Sequence, residues 1–170
     1  MLLILPANRL MIANRYRWFV IVGGTLLLAL VSAAFIGAAI GHDPSPARLP
    51  ANVWAHIFTV LPALPLGMWL FLHPKGTDTH RWLGRLWVAL IVVTAAISFT
   101  IRNLNHGQFS YIHLLSTMVI LMVPYGLVLA WRGQIEAHSR VMRGMFLGSL
   151  LIAGLATFAP GRVMWAWAFG

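Results

Sequence analysis

Apolar residues gather in five long runs along this chain, approximately Trp18–Ile40, Val53–Leu72, Trp82–Ile101, Tyr111–Trp131 and Val141–Ala159. A helix crosses a hydrocarbon core roughly 30 Å thick with about 20 apolar residues, and every run is long enough. Hydrocarbon gives the backbone no hydrogen-bond partner, so the spans are predicted to be helices. The breaks between them are polar and rich in turn formers: His42-Asp43-Pro44-Ser45-Pro46, His73-Pro74-Lys75-Gly76, Asn103-Leu104-Asn105-His106-Gly107 and Arg132-Gly133-Gln134. The pattern predicts one all-α transmembrane domain over 1–170. It comprises an N-terminal segment (1–17), helix 1 (18–40), a first hairpin (53–72 and 82–101) and a second hairpin (111–131 and 141–159). Helices 2–5 are expected to form a four-helix bundle, with helix 1 beside it.

Composition agrees. A soluble domain carries about a quarter charged residues; here the share is 9%, with Asp43, Asp78 and Glu136 the three acids. Mean hydropathy is +0.83. The bulk of the surface must therefore face a lipid bilayer. A net charge of +9 would ordinarily raise nucleic-acid binding. The cations, however, stand singly or in small groups at the ends of apolar runs, so no nucleic-acid partner is expected. The absence of cysteine excludes disulfides, thiolate metal sites and iron–sulfur clusters. No Ser/His/Asp set, phosphate-binding glycine loop or paired carboxylate points to hydrolytic or transfer chemistry.

Orientation follows from the cations. Arg9, Arg15, Arg17, Lys75, Arg81, Arg85, Arg132, Arg140 and Arg143 fall on one side; Arg48, Arg102 and Arg162 fall on the other. The richer side is expected to be cytoplasmic, which places the N-terminus inside a bacterial inner membrane. Trp18, Trp69, Trp82 and Trp131 lie near the inner boundary, and Trp54, Trp165 and Trp167 near the outer one. Helix 1 exceeds the usual 7–15 apolar residues of a signal core and reads as an anchor. Met1-Leu2-Leu3-Ile4-Leu5 is too short to span and is expected at the surface, with Met11 as an alternative start.

The two hairpins repeat. His56, Pro65-Leu66-Gly67, His80 and Arg85 recur as His113, Pro124-Tyr125-Gly126, His138 and Arg143, at offsets of 57, 59, 58 and 58 residues. Parallel repeats of this kind are related by a pseudo-two-fold axis along the membrane normal. That axis would pair His56 with His113 near the outer face and His80 with His138 near the inner one. About 16 helical residues, or roughly 20–25 Å, separate the layers. Two imidazoles facing each other across a bundle core make a bis-histidine haem site. Arg81, Arg85, Arg140 and Arg143 would neutralise inner propionates, and Arg48 and Arg102 outer ones. Gly67, Gly84, Gly126, Gly144 and Gly148 would give a flat ring clearance. Each feature also has a plainer reading. Histidines at helix ends sit in the wet interface, arginines follow from topology, and glycines serve close helix packing. That plainer reading is the stronger one for His42, His73 and His106, which lie in the connections.

The stretch Thr79-His80-Arg81-Trp82-Leu83-Gly84 resembles the opening of helix 3 in the transmembrane cytochrome b561 family. That resemblance implies two haem b groups, one shared by helices 2 and 4 and the other by helices 3 and 5. By position it makes His56 and His113 outer ligands and His80 and His138 inner ones. The chain is short for that family and lacks a cluster suited to ascorbate. A second resemblance covers most of residues 50–165, to a bacterial family of membrane proteins of unknown function (domain of unknown function 2306). It is carried by His80–Leu86, Glu136-Ala137-His138, Tyr111-Ile112-His113-Leu114-Leu115-Ser116 and Pro160-Gly161-Arg162. It implies fold and location and no established activity.

Three functions compete. The first is a b-type cytochrome passing electrons across or within the membrane, with a quinone or small redox partner docking near Tyr111, Asn103, Asn105 and His106. The second is a cofactor-free membrane subunit or scaffold. The third is a metal or small-solute permease, in which Met118, Met122, Met142 and Met145 join the histidines as soft ligands. Methionine at helical spacing more often fills packing gaps, and no ionisable residue lies at mid-membrane, where coupled transport usually needs one.

Overall fold

The computed structural model describes residues 7–41, 49–102 and 108–170, with side chains omitted for 7–15 and 111. Expectations for residues 1–6, for His42, Asp43 and Arg48, and for Asn103, Asn105 and His106 lie outside the described residues. Within the described residues the chain is all helical. Five helices are long and apolar enough to cross a membrane, as the hydropathy pattern requires. We label them α1 (Ala7–Ala39), α2 (Ala51–Leu72), α3 (Asp78–Ser98), α4 (Tyr111–Trp131) and α5 (Ile135–Ala156). A sixth, short helix, α6 (Val163–Phe169), follows. The protein is a multi-pass membrane protein in a bilayer.

The helix limits reveal local chemistry that hydropathy alone misses. α3 begins four residues before its apolar run, because the Thr77 side chain accepts the His80 backbone N–H at 3.1 Å and caps the polar first turn. α4 ends in a glycine turn. Gly133 takes φ +73°, and the Gln134 and Gly133 N–H groups return to Leu129 and Ala130 carbonyls at 2.9 and 3.0 Å. That closure lets α5 start at Ile135, six residues before its apolar run. α1 also begins early, at Ala7, and its 33 residues make it about 50 Å long.

Consecutive helices pack as neighbours: α1 on α2, α2 on α3, α3 on α4 and α4 on α5. α1 also touches the middle of α5 and lies along α6. The bundle of α2–α5 with α1 at its side is the expected architecture; α6 was not. α6 follows Gly161, at φ +82°, and buries Trp167 completely against Phe35 of α1 and Trp54 of α2. Sequence reading assigns Trp167 to an interfacial belt, whereas here it is core. Trp18, Trp82 and Trp131 are exposed, as belt residues should be.

Between α2, α3 and α5 sits an aromatic cluster. α5 widens into π-helical turns over Phe146–Ile152, and Phe146 at their start is fully buried. Its ring lies 4.9 Å from that of Phe71 on α2 and 6.5 Å from that of Trp87 on α3. Trp87 donates its indole N–H to the Ala63 carbonyl of α2 at 2.9 Å. Gly67 supplies the room: a Cβ there would stand 2.7 Å from both the Phe146 ring and Trp87 Nε1. α1 uses glycine likewise, with Gly24 against Met68 and Leu27 against Gly154. Small residues let membrane helices approach where no hydrophobic drive separates them from lipid.

Replacing Gly67 with valine should destabilise the bundle by about 1–3 kcal/mol through overpacking. Gly84→Ala, facing open space, should change stability little. Thermal unfolding in detergent checks both, and Phe146→Leu should partly rescue Gly67→Val.

Candidate functional site

The four predicted ligand histidines fall into two layers at opposite ends of the bundle. His56 (α2) and His113 (α4) both meet the last turn of α3, on adjacent residues. Ser98 Oγ lies 3.0 Å from His56 Nδ1. The Phe99 ring lies 5.8 Å from that of His113. At the other end, His80 stands in the first turn of α3 and His138 in the first turn of α5. His138 bonds α4 through its Nδ1, 2.8 Å from the Gly126 carbonyl.

These contacts set the separation of the layers. From His80 to Ser98, level with His56, are 18 residues of helix, about 27 Å. From His113 to Gly126, level with His138, are 13 residues, about 20 Å. The sequence estimate falls between the two.

Hydrogen-bond roles fix the ring tautomers. A carbonyl only accepts, so His138 Nδ1 carries the proton and its Nε2 presents a bare lone pair. Ser98 Oγ donates to the Thr94 carbonyl at 2.9 Å, so it accepts from His56 Nδ1, and His56 Nε2 is likewise bare. A metal-bound imidazole is held in this way, by its second nitrogen. His113 is different. Its Nδ1 accepts the Ser110 backbone N–H at 2.9 Å, closing the start of α4, and this places the proton on Nε2. The Ser110 carbonyl lies 3.3 Å from the same Nδ1, so the opposite tautomer also finds a partner.

Among the described residues, three buried side-chain polar atoms lack a partner: Tyr16 Oη, His80 Nδ1 and His113 Nε2. Leaving such an atom unsatisfied costs about 1–3 kcal/mol. Two of the three are imidazole nitrogens, one in each layer. Each layer therefore joins a ring oriented by a hydrogen bond to one with an unsatisfied nitrogen. Imidazole nitrogen is the donor type that bis-histidine haem iron takes.

The space between the layers is less accommodating. The aromatic cluster of Phe71, Trp87 and Phe146 fills it, Trp87 lying seven residues, about 10 Å, along α3 from His80. Of the two cavities described, neither is lined by a histidine. Gly67 and Gly126, expected to clear a flat ring, instead accommodate Phe146 with Trp87 and Met142. Gly84, Gly144 and Gly148 face open space.

The arginines divide. Arg81 and Arg85 stand on the exposed face of α3, Arg81 3.5 Å from Asp78. Arg140 is exposed beside Tyr125 and Leu129, in a groove of about 340 Å³ between α4 and α5. Arg143 is half-buried, its guanidinium 5.5 Å from the Tyr16 ring centre. Arg102 approaches the other layer, its guanidinium 4.5 Å over Phe109, whose ring lies 4.9 Å from that of His113. His73 is exposed and stacked on Trp69 at 4.3 Å, consistent with an interfacial role. Met118 and Met122 are exposed, so they do not line an internal path.

Ser98, Ser110 and the Gly126 carbonyl were not foreseen. Ser98 lies 42 residues from His56, with no local signal linking them. Ser110 was legible, since a serine three residues before a polar ring acceptor is the spacing of a capping box. Comparison with protein families, curated proteins and solved structures matches this chain to none of them.

Nitrogen-15 NMR of ring-labelled histidine should find His56 and His138 protonated at Nδ1 and His113 at Nε2 in cofactor-free protein. Ser98→Ala should remove the Nδ1 preference of His56 and leave that of His138.

Proposed function

We propose that the chain is a membrane b-type cytochrome-like protein, binding haem b between His56 and His113 and between His80 and His138. It carries electrons across or within a bacterial inner membrane, its N-terminus cytoplasmic, exchanging them with a quinone or small redox partner. The observation that carries this reading is the pair of unsatisfied, buried imidazole nitrogens, His80 Nδ1 and His113 Nε2, one in each histidine layer. Likeness to the cytochrome b561 pattern around His80 supports it.

Bound haem supplies a one-electron iron couple whose potential depends on axial ligands, burial and nearby charge. The chain's own residues set those conditions. Gly126 and Ser98 orient His138 and His56 and raise the basicity of their free nitrogens. Were His113 Nε2 to hold the iron, the Ser110 carbonyl, 3.3 Å from Nδ1, would accept the ring's remaining proton. Arg102 places positive charge near the His56–His113 layer, where it would favour the reduced state and pair with a propionate were haem bound.

A second reading, a membrane subunit without cofactor, draws on the filled aromatic centre and on the structural use of His113 as a cap.

A reduced-minus-oxidised spectrum with pyridine haemochrome quantification tests the proposal. The expected result is a b-type α-band and two haems per chain. His138→Ala and His56→Ala should each lower the stoichiometry to about one. Absence of any haem band after expression with ample haem would overturn it and leave the cofactor-free subunit.

A further inference from the structure

The third unsatisfied atom, Tyr16 Oη, belongs to a different place. Tyr16, Arg17, Phe71, Leu72, Lys75, Ser139 and Arg143 line a cavity of about 180 Å³ at the end of the bundle where α1, α2 and α5 meet. A water molecule takes roughly 30 Å³, so the cavity holds several.

Its three cations come from three parts of the chain and converge without a carboxylate in the lining. Lys75 Nζ donates to the Phe71 and His73 carbonyls at 2.6 and 2.9 Å, which anchors it over the end of α2. An ammonium has three protons, so one remains for a ligand. Arg143 Nε donates to the Ser139 carbonyl at 3.1 Å, leaving its terminal NH₂ groups available. The Tyr16 ring stands between Arg143 and the edge of Phe71, 5.9 Å away. The lysine pKa is pushed below its usual value, by burial first and then by the charges of Arg17 and Arg143. Like charges gathered in this way lower the stability of the empty site and raise the gain when an anion enters.

The position narrows the ligand. The cavity lies at the end of the transmembrane spans, with Phe71 and Leu72 as apolar wall and the cations as polar rim. That is the arrangement of a headgroup and the first carbons of an acyl chain, and basic pockets between transmembrane helices bind anionic lipid headgroups.

We propose that this cavity binds a phosphate group, supplied by an anionic phospholipid, with Lys75 and Arg143 as its principal contacts, Arg17 at the rim and Tyr16 as hydroxyl donor. The proposal is independent of haem.

Thermal unfolding of the full chain in neutral detergent tests it, with phosphatidylglycerol, phosphatidylcholine or inorganic phosphate added. Phosphatidylglycerol should raise the midpoint with an apparent affinity at least about 10-fold above that of phosphatidylcholine. Arg143→Gln and Lys75→Gln should each remove most of that preference, and Tyr16→Phe should reduce it. Arg132→Gln, an exposed cation outside the cavity, should leave it intact. Should Arg143→Gln fail to fold, Lys75→Gln carries the same expectation from an exposed position in a connection. Inorganic phosphate matching the lipid would assign the site to free phosphate and overturn the lipid as source. Equal response to both lipids, or equal loss in Arg132→Gln, would overturn the site.

Discussion

Hydrocarbon accepts no hydrogen bonds, and nearly every feature of this protein answers to that fact. Its backbone is helical because a helix satisfies its own N–H and C=O groups. Its hydroxyl side chains turn back on their own helices: Ser32 donates to the Leu28 carbonyl, Thr94 to Leu90, Ser98 to Thr94 and Thr117 to His113. Trp87 and His138 reach across to a carbonyl of the neighbouring helix. Against such consistent satisfaction an unpaired nitrogen is conspicuous. Among the described residues, His80 Nδ1 and His113 Nε2 are the buried imidazole nitrogens without a partner, one toward each end of the bundle.

The aromatic cluster divides the interior into two ends with different chemistry. Phe71, Trp87 and Phe146 interlock over Gly67. The π-helical turns of α5 begin at Phe146 itself, so the departure from regular geometry coincides with a fully buried aromatic contact. Polar function is confined to the ends, where the histidines lie. The end that carries Lys75, Arg143 and Arg17 is strongly cationic; the other offers Arg102 stacked on Phe109.

The fold was largely legible in the sequence, because span length is a direct physical requirement. α2 and α4 match their apolar runs to within two residues. α3 and α5 start earlier than hydropathy indicates, since Thr77 and Gly133 extend them with polar turns that no lipid criterion detects. α6 escaped notice because seven residues after a glycine turn are too few to span, and its tryptophans suited a belt. The two-layer placement of the four histidines was legible, and their surroundings less so. Periodicity picked out the four histidines but could not reveal that Ser98 orients one and Ser110 caps with another. It also placed all four inner arginines together, whereas helical phase turns Arg81 and Arg85 away from His80 and draws Arg143 toward Tyr16.

The clasp between α1 and α6 couples the earliest described helix to the latest. During synthesis α1 enters the bilayer more than a hundred residues before Trp167 exists to pack against Phe35. Its glycine face therefore waits among lipids, or against α2 alone, until the later helices are made. A chain clipped before Val163 would keep all five spans yet leave Phe35 and Trp54 uncovered where Trp167 now packs.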